Sequence, residues 1–113
     1  MTEPLTDAQK RELEAKLLER LRRDCDESQS IGYPPRVFRV MISESGPVGA
    51  CIRVIAAKRI PDGFIRLLEL NRLDLTAEHA VLDGPWRCLF AQNVLEAARK
   101  RLRDYNRPDL ALS

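Results

Sequence analysis

A chain of 113 residues with 44% hydrophobic and 32% charged residues has the length and balance of one globular domain, which excludes a disordered segment. Its formal net charge of only +2 excludes the strongly basic balance of a dedicated nucleic-acid binder. The three cysteines, Cys25, Cys51 and Cys88, are too few and too far apart for a disulfide framework or a zinc ligand set.

No apolar run approaches the roughly 18 residues of a membrane span, so no membrane partner is expected. The opening Met1-Thr2-Glu3-Pro4 has neither the basic nor the apolar stretch of a secretion signal, so a cytoplasmic address is expected. Charge alternates along the chain. Residues 1–30 hold six basic and eight acidic side chains, 31–60 five and one, 61–90 three and five, and 91–113 five and three. With 5% aromatic residues, the core must be mostly aliphatic.

The first helix is expected over 7–25. Leu13, Leu17, Leu21 and Cys25 recur at four-residue steps, with Leu18 widening the stripe. Thr6 followed by Gln9 is a capping box, and Lys10, Glu14, Arg20 and Arg23 occupy the opposite, solvated face. Ser28 to Gly32 reads as a flexible link, leaving this helix free to project from a core bundle over 33–106.

Pro34-Pro35 forces extended backbone before a second helix at 36–44, with Val37, Phe38, Met41 and Ile42 as its apolar face. Gly46-Pro47 breaks it and starts a third helix, about 47–58, whose only polar side chain before Lys58 is Arg53. A helix apolar nearly all round belongs at the centre of a domain. Ile52 is therefore expected in the core, its truncation to alanine costing ~2–5 kcal/mol.

Asp62 is expected to cap a short helix to about Leu70, with Phe64, Leu67 and Leu68 inward. Thr76 caps another short helix, which Asp83-Gly84-Pro85 stops. Trp86, Leu89 and Phe90 follow as an expected aromatic cluster. The last helix spans 92–104, with Val94, Leu95, Ala98 and Leu102 inward and Arg99, Lys100, Arg101 and Arg103 crowding its end. The fold class is thus all-α: one domain over 1–113, a compact bundle of about six helices around a buried central helix at 47–58.

Asp62-Gly63-Phe64 leading through Leu67, Glu69 and Arg72-Leu73-Asp74-Leu75-Thr76-Ala77-Glu78 resembles a signature of short, stand-alone bacterial proteins. Trp86, Leu89-Phe90, and the Phe38–Met41 helix followed by Gly46 and Ala50 are also similar. Ala91 stands where that group has threonine, removing a capping oxygen, and Leu68 where it tends to have tryptophan. The group has no assigned activity, so the resemblance implies fold boundaries and no functional residue.

Catalytic chemistry finds little to work with. His79 is the sole histidine and reads as an ordinary packed or exposed residue; Cys25, Cys51 and Cys88 lie near apolar stripes and read as core. Of the three, Cys88 beside Arg87 is the mild nucleophile candidate. Gly46-Pro47-Val48-Gly49 lacks the glycines and lysine of a phosphate loop. Glu69, Arg72, Asp74 and Glu78 read as a network locking a helix junction, with Glu69 and Arg72 paired. No catalytic residue, metal ligand, cofactor or small-molecule substrate is evident.

Two surface functions are expected instead. The first is a protein-interaction or regulatory module, with a protein partner or self-association through Leu13, Leu17 and Leu21. The alternative is a nucleic-acid-binding module. There, Phe38 to Ala57 forms a helix-turn-helix-like pair, and Arg53, Lys58, Arg59, Arg99, Lys100, Arg101 and Arg103 meet phosphates.

Overall fold

The computed structural model describes residues 4–111, and among them contains five α-helices, three 3-10 turns and no strand. The molecule measures 42 × 27 × 22 Å. Its long axis reflects helix α1, Asp7–Ser30, whose 24 residues span about 36 Å at 1.5 Å each.

The expected capping box opens α1. The Gln9 amide donates to Thr6 Oγ1 at 3.1 Å, and the Thr6 amide donates to Gln9 Oε1 at 2.8 Å. The helix runs past Cys25, so the expected flexible link is helical as far as Ser30. Its inward stripe simply continues, because Asp24 and Ser28 are buried along with Leu17, Leu21 and Cys25. Ser28 Oγ donates to the Tyr33 carbonyl at 2.7 Å, and Gly32 takes the left-handed φ of +103° that turns the chain. The helix begins to bury side chains at Leu17, and its residues 7–16 are exposed apart from half-buried Leu13. It lies against α2, α4 and two of the 3-10 turns.

Helix α2, Arg36–Ile55, is two helical segments joined at Gly46, whose φ of +75° and ψ of 173° interrupt it as expected. The second segment ends at Ile55 rather than Lys58, and it is not the centre of the domain. Only Ala50, Cys51 and Ile55 are buried on it, and Ile52 is 36% exposed. Helix α2 packs against α1, α4 and α5, and Ile52 and Arg53 of the second segment face outward.

The centre is instead α4, Ala77–Leu82, all six of whose residues are buried. It is surrounded by α1, α2, α5 and all three 3-10 turns. Thr76 caps it as expected, its Oγ1 accepting from the His79 amide at 3.2 Å.

Helix α3, Asp62–Glu69, buries Phe64 and Leu67, while Leu68 is half-buried. Pro61 occupies its cap position and Asp62 its first turn, so Asp62 serves the helix dipole rather than capping it. After the turn Leu73–Leu75 and α4 comes the turn Pro85–Leu89, where Trp86 Nε1 donates to the Ala80 carbonyl at 2.7 Å. Gly84 is required there, since a Cβ would stand 2.4 Å from the Trp86 ring. Trp86 and Phe90 are both core residues. The close aromatic contact lies elsewhere, between Phe64 and Tyr105, edge to face at 5.2 Å.

Helix α5, Gln92–Asp104, buries Leu95, Ala98 and Leu102, and Ala91 offers its amides no side-chain cap. A last turn, Pro108–Ala111, folds back onto α5 and α4.

Candidate functional site

The buried polar groups lie at the meeting point of α2, α4 and α5. Glu78 is 1% exposed and accepts from Arg101 Nη1 at 2.6 Å. The same guanidinium donates to the carbonyls of Val54 at 3.1 Å, Ile55 at 3.2 Å and Ala57 at 3.2 Å. Arg101 therefore closes the C-terminus of α2, whose last carbonyls have no partner within the helix. It also lies 5.9 Å from the centroid of the Phe64 ring. Burial pushes the Glu78 carboxyl above the ordinary carboxylate range, against the pull of Arg101.

A second polar cluster ties α1 to α4. Arg20 bridges Asp24 at 2.9 Å and Asp83 at 2.8 Å. His79 Nδ1 lies 3.1 Å from the Leu110 carbonyl, to which it donates, and its Nε2 is 3.5 Å from Asp83. Burial pushes the Asp24 carboxyl up despite Arg20. The Nδ1–H of His79 thus ties α4 to the last turn. Cys88 is exposed on the other side of the Trp86 turn, and its Sγ reaches the Pro85 carbonyl at 3.5 Å. The expectation that Cys88 is a core residue is overturned, because Trp86 takes the inward position of that turn. Cys25 and Cys51 are buried; burial raises both thiols, Cys25 to about 11.

The carboxylate and arginine set divides between two places. Arg72 forks onto Asp74 at 3.0 and 3.1 Å and reaches Glu27 at 2.7 Å, which fastens the end of α1 to the turn before α4. Glu69 is not its partner; it faces Arg66 at 3.7 Å instead. Glu78 belongs to the Arg101 site. Among the described residues, no group of three or more His, Cys, Asp or Glu side chains is placed to hold a metal ion.

The expected interaction leucines are core. Leu17 is 0% and Leu21 1% exposed, and Leu13 packs partly buried against them, so this stripe is spent on folding. The expected basic residues fare unevenly. Arg53 is exposed but rests on Ser45 Oγ at 3.2 Å and near Glu44 at 3.9 Å. Lys100 pairs with Asp104 at 2.6 Å. Arg99 is half-buried, with its Nε enclosed, and Arg101 is committed to Glu78 and α2. Lys58, Arg59 and Arg103 are exposed.

Two features of α2 went unread in the sequence. Val37 is 70% and Val40 53% exposed, so the first segment carries two of its apolar residues outward while Phe38, Met41 and Ile42 are half-buried. Behind that segment lies a partly open cavity of about 230 Å³, bounded also by the end of α1, by Tyr33, by α3 and by the start of α4. Its lining is mainly apolar, including Phe38, Met41, Phe64 and Leu67, and its charged side chains are Asp24, Asp62 and Glu78. Exposed valines spaced three apart carry no mark in the sequence, because the same spacing describes a core stripe. Compared with known proteins, the chain matches no family model, no curated protein and no solved structure.

Proposed function

We propose that the chain is a non-catalytic interaction module that docks on a second copy of itself through the first segment of α2. One observation carries this reading. Arg36, Val37, Val40 and Glu44 fall on one face of a helix, and all four are exposed. That face is self-complementary. Two copies approaching antiparallel about a two-fold axis would set the valines together at the centre and Arg36 of each opposite Glu44 of the other. Contiguous exposed apolar surface rimmed by polar groups is the usual mark of such a contact. One short helical face falls below the ~800 Å² per partner of a stable interface, so the pairing is weak and reversible.

Sedimentation velocity across a wide concentration range tests it. Concentration-dependent dimers are expected, lost in Val40→Glu and in Arg36→Glu, and regained when Arg36→Glu is combined with Glu44→Arg. A monomer at every concentration would retire the reading.

A specific feature favours nucleic-acid binding as the second reading. The contact of Arg101 with the Ala57 carbonyl holds the loop after α2 against α5. Exposed Lys58 and Arg59 then neighbour the basic end of α5, where Arg103 and Lys100 are also exposed. Fluorescence anisotropy with random-sequence DNA should show binding that falls steeply with salt if these groups neutralise phosphates. No binding at low salt would remove this alternative.

A further inference from the structure

We propose that the cavity behind the first segment of α2 is a binding site for a small organic ammonium ion with an apolar body. Protein interiors pack like organic crystals and leave few voids larger than a water molecule. The space here is a half-open cleft of about 230 Å³ and not an interior void. An apolar cavity of ~150 Å³ already accepts a benzene-sized guest.

The lining selects the charge of the guest. Asp24, Asp62 and Glu78 line the cavity, and no lysine, arginine or histidine does. An anion would therefore enter against carboxylates alone. Asp24 and Glu78 are held from outside the cavity by Arg20 and Arg101. Asp62 is exposed and has no ion pair among the described residues, which leaves it as the group that faces an incoming cation. Tyr33, Phe38 and Phe64 are among its lining residues; Arg101 already lies over the Phe64 ring, so Tyr33 and Phe38 are the rings offered to an ammonium ion, which a ring quadrupole attracts. Aliphatic Met41 and Leu67 then enclose the apolar body. The site shares Val37 with the proposed self-association face, but none of its charged lining belongs to that face.

Three probes of one size separate the contributions: n-hexylammonium, 1-hexanol and hexanoate, each titrated into the full chain while backbone amide NMR shifts are followed. Hexylammonium is expected to saturate with a Kd on the order of 1 mM, as a seven-heavy-atom ligand of ordinary efficiency would. Shifts should centre on Tyr33, Phe38, Gly63 and Ala77. Hexanol should bind about tenfold more weakly, and hexanoate should not saturate. Asp62→Asn should bring ammonium and alcohol to within about twofold of each other, because it removes the free charge and leaves the apolar walls. Met41→Trp should fill the cavity and abolish both. If that variant fails to fold, Phe38→Trp, at a half-buried lining position away from the Arg36–Glu44 face, replaces it. Equal binding of alcohol and ammonium to the unaltered chain overturns the proposal. So does the absence of saturable shifts with hexylammonium, or binding that survives the cavity-filling variant. The dimer-breaking Arg36→Glu should bind hexylammonium as the unaltered chain does, so the two readings fail separately.

Discussion

Replacing Arg101 with methionine tests whether one guanidinium holds the centre of this fold. Methionine keeps most of the apolar stem and removes four hydrogen bonds at once: to Glu78 at 2.6 Å, Val54 at 3.1 Å, and Ile55 and Ala57 at 3.2 Å. The dominant cost is the carboxylate left behind, because Glu78 is 1% exposed and cannot turn to water. Breaking a buried ion pair by removing one partner costs about 3–5 kcal/mol, a large share of the ~5–15 kcal/mol that stabilises a domain. At a urea slope of about 1.5 kcal/mol/M, the midpoint should fall by roughly 2–3 M. Trp86, buried beside α4, reports the transition by fluorescence. The sign with pH follows from burial. A folded-state pKa raised above the unfolded value means the native state binds the extra proton, so stability rises as pH falls through the folded pKa and the gain is complete below the unfolded one. Burial already raises Glu78 while Arg101 restrains it. Without Arg101 the rise is larger, so the deficit of Arg101→Met should shrink as pH falls from 7 toward the ordinary glutamate range. Adding Glu78→Gln to Arg101→Met should recover part of the loss at pH 7, since a neutral amide replaces the stranded charge. A deficit below about 1 kcal/mol, far under the cost of stranding a buried charge, or one of equal size at pH 7 and pH 5, would refute the assignment.

Three other outcomes follow from burial and backbone geometry. Ile55→Ala should cost ~2–4 kcal/mol, and Ile52→Ala under ~1 kcal/mol, because the two isoleucines are 3% and 36% exposed; equal urea midpoints would contradict the orientation of α2. A thiol reagent on the folded chain should modify Cys88 alone, with Cys25 and Cys51 reacting only on unfolding; rapid modification of three thiols would contradict their burial. Gly46→Ala should destabilise by ~1–2 kcal/mol, since nothing crowds a Cβ there but φ is +75°; an unchanged thermal midpoint would show that the break relaxes.

Much of the fold was legible because local signals agreed with the final packing. The Thr6–Gln9 box, the Gly46-Pro47 break, the Thr76 cap and the bounds of α5 all rest on backbone chemistry within a few residues. What failed depended on neighbours distant in sequence. The segment after Pro47 is the most apolar in the chain, yet it packs on one side only, while the six-residue α4 is enclosed on every side. The Ser28–Ser30 stretch stays helical because Tyr33 returns a carbonyl to Ser28, a contact that no serine-rich composition announces. At the candidate site, Arg101 read as one of four basic residues at a helix end. Its role requires a Glu78 that is 23 residues away and carbonyls at the end of α2 and just beyond it that are 44 to 47 away.

Buried polar residues and exposed large apolar ones are the informative departures from ordinary burial. This chain shows both, and they lead to different places. At its centre Glu78, Asp24 and His79 are buried, and each has a partner: Arg101, Arg20 and the Leu110 carbonyl. Such groups join α1, α4, α5 and the last turn. On α2 the balance is reversed. Val37 and Val40 expose apolar surface that contributes little to folding, on a segment set off by the left-handed Gly46 and bordering a cavity. Folding alone would favour polar residues at those two positions. That exposed surplus is the feature on which the proposed self-association through the first segment of α2 rests.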